Sequence, residues 1–427
     1  MKIVFDESKR LIQVKTMKIL IVVESINVED SSASKGRVAL IYSLQKLGYQ
    51  LRVLHYSRKE IKLDGIQTIM IKERKWNLNY LLSRFVRITQ RHTKLRYNHH
   101  LEKIFGFSFT HTNDTKSIAK SIKEHKNFNP DLIITLSKGI SFRAHRAMLK
   151  FPELHSIWLS YIHDPYPYHF YPRPFNKVES GYKYKERLMK EIIEKSKFLA
   201  FPSQMLKDWM QSYFPKVEHK SYIFPHQIKT LEKLPDLPDF FQKNEFSLLH
   251  AGNLLDQRNP KFLIEGFLSF LKNNPTASQY SKLYFVGNFS VHIDYLKDFM
   301  NHPNIVVKGY IEYDRVQAIE KEAAVNIILE AVSEISPFLP GKFPNCVKVD
   351  KPILVLGPYY SEVKRLLGND YPFWSEANDI RNIEEKITQL FKQWSNNPHD
   401  FSLNRDDLID YCNEKGLEKV FNTIPIN

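Results

Sequence analysis

Short apolar runs alternate with helical periodicity along most of the chain, and the alternation begins twice. After Met17, residues 19–23 read as a buried strand, 37–47 as an amphipathic helix stopped by Gly48, and 51–55 as the next strand. Apolar runs at 131–136, 157–161, 198–201 and 222–224 read as further strands with helices between them, and Ser203 is placed to cap a helix over 204–213. This is the pattern of βαβ units in a parallel sheet.

Residues 227–244 are polar and contain prolines, and read as a linker. Beyond them the pattern restarts with a strand at 246–251, a loop at 252–259, a helix from Pro260 through Leu271, and a strand at 283–286 closed by Gly287. Asn259 as N-cap and Pro260 at the first helical position mark that helix start. Later, a strand at 327–329 runs into Ser336-Pro337-Phe338-Leu339-Pro340-Gly341-Lys342, followed by a short helical turn and a strand at 352–356. The expected division is an extension or upstream start codon at 1–16, a first domain at 17–226, a linker at 227–245, a second domain at 246–403, and a C-terminal helix at 404–427 packing back toward the first domain. The fold class is α/β, with two Rossmann-like domains.

Composition narrows the function. A chain of 427 residues with 43% hydrophobic content can bury two cores. Its 62 Lys+Arg against 47 Asp+Glu give a net charge of +15, so the partner surface is expected to be anionic: nucleic acid, acidic lipid or a phosphorylated substrate. Two cysteines, Cys346 and Cys412, make neither a disulfide framework nor a thiolate metal site. No apolar run approaches the ~18 residues of a membrane span, and the N-terminus lacks a signal-peptide core, which points to a cytoplasmic protein. The loop after the first strand holds one glycine, Gly36, where a dinucleotide fingerprint needs three, so NAD is not expected.

Three segments carry candidate chemistry. Arg258 lies just ahead of a helix start, and Lys342 lies in the loop after a strand. Each therefore places a cation at the edge where open α/β sheets bind ligands. Singly, each reads as readily as a surface charge; together they can hold a diphosphate without a metal. His163 and Asp164 stand at the end of another strand, followed by the aromatic, proline-rich stretch that contains Tyr166. Residues 80–107 carry Arg84, Arg87, Arg91, Lys94, Arg96 and Lys103 among apolar positions, and read either as a helix for an anionic membrane surface or as an ordinary solvated face.

HAGNLLDQRNPKFLIEGF, YFVGN, the spacing to Pro303-Asn304-Ile305 and Gly309, and SPFLPGKFPNCVKVDKPIL together resemble the C-terminal domain of glycosyltransferase family 4. SYIHDPYP, FPSQMLKDWMQSYFP and YIFPH more loosely resemble that family's acceptor domain. The resemblance implies the GT-B fold, two facing Rossmann-like domains with a cleft between them, and metal-independent, retaining transfer from a nucleoside diphosphate sugar with no cofactor. It makes Arg258 and Lys342 the diphosphate clasp and His163 the residue near the sugar and its leaving group. Gly252, Asn253, Gly287, Ser336, Phe338 and Leu339 fall on the donor side, while Gly36, Asp164 and Tyr166 fall on the acceptor side. The family's paired glutamates are not intact, because Asn345 stands where the second is expected. Glu334, a loop carboxylate, could face the sugar or the ribose, or only solvent.

The expected function is sugar transfer to an acceptor hydroxyl in bacterial surface-polysaccharide or lipid-linked glycan synthesis, peripheral to the inner membrane face. Two alternatives stand beside it: a GT-B protein that binds donor without catalysis, suggested by Asn345, and a basic nucleic-acid-binding protein. The second is disfavoured, since the basic residues are dispersed and no nucleic-acid motif is visible.

Overall fold

The computed structural model describes residues 3–4, 12–13, 16–30, 32–93, 97–229, 234–398 and 400–426. Most of the 1–16 extension, Lys94 and Arg96 of the basic segment, and part of the 227–245 linker lie outside the described residues. The chain divides into two compact units, Met1–Tyr171 with Asn176–Gln227 and Asn413–Asn427, and Pro172–Phe175 with Ile228–Cys412.

The first unit holds a parallel sheet of seven strands. These are β1 (Lys18–Val23), β2 (Gln50–His55), β3 (Gln67–Met70), β4 (Leu132–Leu136), β5 (Trp158–Tyr161), β6 (Phe198–Phe201) and β7 (Ser221–Ile223), in the order β3-β2-β1-β4-β5-β6-β7. Helices α1 (Ser32–Lys46), α2 (Leu78–Thr93), α3 (Tyr97–Phe105) and α4 (Phe109–Glu124) connect its first half. Both faces are covered: Ile118 and Ile122 of α4 pack with Leu20, Val22 and Ile133, while Val38, Ile41 and Leu44 of α1 pack with Ile19, Ile21 and Ile134. Burial on both faces is why β1 beyond Lys18 reads as an unbroken apolar run and β4 as one interrupted only by Thr135. Phe421, from the chain's last helix, Glu414–Phe421, joins the α1 face, its ring 5.1 Å from Phe224 and 5.3 Å from Tyr49.

The second unit repeats the plan with β8 (Phe246–Ala251), β9 (Ser281–Val286), β10 (Ile305–Lys308), β11 (Val325–Leu329), β12 (Ile353–Leu356) and β13 (Trp374–Ser375). All are parallel, in the order β10-β9-β8-β11-β12-β13. Strand order therefore reverses between β1 and β4 in one sheet and between β8 and β11 in the other. The crevice at the carboxyl ends of such a pair is where doubly wound sheets bind ligands. Val23 is in register with Leu136, so Glu24 and Ser137 follow side by side at the first of these edges.

The structure departs from the sequence expectations at the sheet margins and at two helices. β3, β10 and β13 are edge strands, short and partly exposed: β3 opens on Gln67-Thr68, β10 has an apolar run of only three residues, Ile305–Val307, and β13 has two positions. α1 begins at Ser32, five residues before the first periodic position at Arg37. Within residues 80–107, the described residues up to Thr93 and Tyr97–Phe105 are helical, as the periodicity predicts. The last helix is instead two, Asp406–Tyr411 and Glu414–Phe421, restarting where Asn413 Oδ1 accepts from Lys415 N at 2.8 Å. Ser203 does cap its helix, accepting from Leu206 N at 3.1 Å.

Packing in the second unit depends on one close helix contact. A Cβ on Gly266, in the helix Lys261–Asn273, would lie 2.6 Å from Ile383 Cγ2 in the helix Ile380–Asn396. Gly266→Val is expected to force these helices apart and cost about 1–3 kcal/mol by overpacking, measured as a lower urea midpoint with an unchanged slope.

Candidate active site

The second unit's edge is built around Gly252, which follows β8 at φ +134°. A Cβ on Gly287, after β9 at φ +145°, would lie 2.2 Å from the Gly252 carbonyl oxygen. Only glycine allows these two turns to touch. Asn253 is exposed and its Oδ1 accepts from Asn288 N at 3.3 Å, stitching the same two loops. Arg258 ends the first loop, and Asn259 Oδ1 accepts from Lys261 N at 2.9 Å to begin the helix. The helix itself starts one residue later than expected, with Pro260 in the cap position.

Lys342 reaches under Gly252. Its Nζ donates to the Ile327 carbonyl at 2.9 Å and to His250 Nδ1 at 3.3 Å, and a Cβ on Gly252 would sit 3.8 Å from its Cε. Burial holds the His250 imidazole well below its ordinary range, helped by the charges of Lys342 and Arg258, so it accepts as a neutral ring. Burial also pulls Lys342 down to about 8, with Arg258 adding repulsion. An ammonium has three donors, so one remains for a ligand. The helix that follows, Phe343–Lys348, is six residues long with proline in its first turn, so the Lys342 charge and not a helix dipole supplies the attraction here.

Beside these cations lies Glu330, directly after β11. It is buried, its Oε1 accepts from Ser336 Oγ at 2.8 Å, and its Oε2 has no hydrogen-bond partner. Burial pushes its carboxyl up to about 7 against the opposing pull of Ser336 and Arg258. Arg258 is likewise shifted down by burial and favoured by Glu330, and its buried Nε is unpartnered. Lys342, Arg258 and Glu330 thus face one another electrostatically at the β8–β11 switch point, with open hydrogen-bonding capacity on each.

Other donor-side candidates lie elsewhere. Leu339 is in the core with Ile328 and Phe343, Phe338 is half-buried with its ring 6.2 Å from Phe175, and Glu334 is exposed. Asn345 is buried with its amide donating to Tyr313 OH at 2.9 Å, a contact that occupies the side chain in the place of a second glutamate.

The first unit's switch point is organised by His163 and Arg37. Ser137 Oγ accepts from His163 N at 3.1 Å and meets its Nδ1 at 3.0 Å, fixing the ring. That ring stacks on Tyr161 at 4.0 Å and lies 6.3 Å from the near-parallel His226. Gly36 belongs to the group, since its Cβ would fall 3.6 Å from His226 Nδ1. Arg37 is buried and donates to the carbonyls of Ser25 at 3.0 Å and Ser137 at 3.3 Å and to Ser34 Oγ at 2.7 Å. Burial, then the charges of Arg37 and His226, hold His163 well below its ordinary range. Burial raises Asp164 to about 6, opposed by its hydrogen bond with Tyr171 and by Arg37. Tyr166 is in the core against Phe142, ring to ring at 4.6 Å.

Sequence reasoning missed His250, Glu330, Arg37, Ser137 and His226. Glu330 and Ser137 carry one readable signal, since each is the polar residue that directly follows a mostly apolar central strand. Among the described residues, no group of three or more His, Cys, Asp or Glu is arranged to hold a metal ion.

Neither a protein-family model nor a curated protein sequence matches the chain. Solved structures do. The apo form of the lipopolysaccharide outer core galactosyltransferase WaaB is similar over 96% of this chain and 99% of its own, at a TM-score of 0.55 and 12% identity. WaaG, a glycosyltransferase of lipopolysaccharide biosynthesis, is similar over 95% and 99%, at 0.57 and 10%. A UDP-forming α,α-trehalose-phosphate synthase from Burkholderia xenovorans, in complex with glucose-6-phosphate, is similar over 95% and 99%, at 0.60 and 9%. The chain has the GT-B fold of these glycosyltransferases, with two Rossmann-like domains.

The Lys342 environment has a thermodynamic signature. Its folded pKa of about 8 lies below the ordinary 10.5, so between those values the unfolded chain binds more protons. Stability of the ligand-free protein therefore gains a contribution that rises with pH across that window. Comparing denaturant unfolding of wild type and Lys342→Met from pH 8 to pH 10 is expected to show this extra slope only in the wild type.

Proposed function

We propose that the chain is a retaining, metal-independent glycosyltransferase that moves a hexosyl group from a nucleoside diphosphate sugar to an acceptor hydroxyl. The observation that carries this reading is the convergence of Arg258 and Lys342 on the Gly252 turn, both desolvated and both with unused donors. Desolvated cations are costly unless an anion completes them, and a diphosphate is an anion that two such cations can complete. The GT-B fold and the glycosyltransferases that share it support the same reading.

In the proposed reaction the bond between the anomeric carbon and the diphosphate oxygen breaks as a bond to the acceptor oxygen forms on the same face. The acceptor's proton passes to the departing diphosphate. Arg258 and Lys342 stabilise the negative charge that grows on that leaving group, where preorganised cations act most strongly. Gly252, Asn253, Gly287 and Ser336 line the donor side, and Glu330 holds its oxygen toward Arg258. His163, neutral and fixed by Ser137, contributes from the acceptor domain, with Gly36 and Asp164 beside it. The acceptor is a surface-polysaccharide or lipid-linked glycan precursor at the cytoplasmic membrane face, a class supported by the neighbours of lipopolysaccharide synthesis.

Calorimetric titration with UDP- and GDP-sugars tests the donor assignment. Arg258→Ala and Lys342→Ala are each expected to weaken the donor that binds by at least about tenfold, the worth of a charge-assisted hydrogen bond. Wild-type affinity should fall as pH rises past about 8, where free Lys342 loses its proton. Lys342→Ala should lose that dependence, and an unchanged affinity in both variants would sink the clasp. For His163→Ala the expected outcome is a lower kcat at unchanged donor affinity, read from steady-state transfer alongside the same titration.

A further inference from the structure

Helix α2 turns its apolar face away from the protein. Leu78, Leu81, Phe85 and Ile88 recur at spacings of three, four and three, which aligns them along one side. They are 70%, 50%, 64% and 55% exposed, and Trp76, just before the helix, is 84% exposed. The inward side carries polar contacts beside the half-buried Leu82 and Val86. Ser83 is the buried position, Asn77 Oδ1 accepts from Tyr80 N at 3.2 Å, and Asn77 Nδ2 donates to Asn113 Oδ1 of α4 at 3.0 Å. Ile104 and Phe105 at the end of α3 are exposed as well. A contiguous apolar surface of this kind marks an interaction site.

The charges beside the stripe select its occupant. Arg84, Arg87 and Arg91 lie on α2, and Lys72, Arg74 and Lys75 precede it. Of the acidic groups nearby, Glu73 is already paired with Arg84 at 3.4 Å. A second copy of the chain meeting this face isologously would bring like charges together. An anionic bilayer offers hydrocarbon to the stripe and phosphates to its basic rim at once.

We propose that α2, with Trp76, is a membrane-docking surface that inserts Leu78, Leu81, Phe85 and Ile88 into the headgroup boundary of an anionic bilayer. The surface belongs to the first unit alone, so it stands or falls independently of the donor clasp. Among the described residues no helix is long and apolar enough to cross a membrane, so attachment through this face would be peripheral.

The test is co-sedimentation of the full chain with vesicles of phosphatidylglycerol and phosphatidylcholine, against vesicles of phosphatidylcholine alone. Expected are binding to the anionic vesicles that weakens with salt, a blue shift of the emission removed by Trp76→Phe, and a loss of roughly fivefold for each of Lys75→Glu and Arg91→Glu, both exposed. Leu81→Asp/Phe85→Asp should abolish binding while leaving the thermal melt and donor affinity unchanged. Because both positions are exposed, a normal melt separates lost docking from lost folding. Equal binding to both vesicle types, retention by the double variant, or a concentration-dependent dimer that the double variant dissolves would each overturn the proposal.

Discussion

Desolvation of Lys342 is the constraint on which the second unit's working edge depends. An ammonium withdrawn from water must be met by dipoles, and the fold supplies two, the Ile327 carbonyl and the neutral His250 ring. The stem lies beneath the turn at Gly252, whose φ of +134° only glycine takes readily. Gly252 can in turn hold its place only because Gly287 lets the neighbouring loop touch its carbonyl oxygen. Two glycines, one histidine and one strand carbonyl therefore serve a single cation. Glu330 tempers the arrangement without neutralising it, since burial brings its own carboxyl to about 7. The result is a positively biased edge whose charge is incompletely matched until an anion arrives.

The first unit solves a similar problem with different chemistry. Arg37 is buried at its switch point and is also held by main-chain carbonyls, one of them from Ser137 at the end of β4. Ser137 joins that cation to His163, because the residue that gives Arg37 its carbonyl gives the histidine its hydroxyl. Guanidinium charge beside the imidazole then helps keep the ring neutral. A neutral, oriented histidine suits hydrogen bonding to an uncharged group such as a hydroxyl, whereas Arg258 and Lys342 suit an anion. The two edges differ in the charge they can receive, and the difference follows from which side chain each strand end presents.

Legibility in the sequence tracked burial. Central strands β1, β4, β8 and β11 announce themselves because both of their faces are covered, so most of their positions are apolar. Edge strand β3 mixes Gln67 and Thr68 with Ile69 and Met70, β10 offers only the three apolar positions Ile305–Val307, and β13 has two positions, which leaves little period to read. Arg258 and Lys342 were visible because each is a cation placed between a strand and a helix start. His250 and Arg37 were not, since a polar residue inside an apolar strand or helix gives no sign of which distant carbonyl or lysine it meets. Asn345 shows the same limit: its departure from the family pattern is readable, but its bond to Tyr313, 32 positions away, is a product of folding.

Helix α2 exposes a further limit of periodicity. A stripe at helical spacing states that one side of the helix is apolar, yet the rotation of that helix about its axis decides whether the stripe faces core or solvent. In α4 the apolar positions Ile118 and Ile122 turn inward and join the sheet. In α2 the inward contacts include the Asn77–Asn113 amide pair and the small Ser83, and these fix the opposite rotation. Turning α2 to bury its stripe would break that amide pair and carry Ser83 and the half-buried Arg87, whose Nε donates to the Ser83 carbonyl, out to solvent. The polar contacts of the inward side therefore hold the stripe outward before any partner is considered.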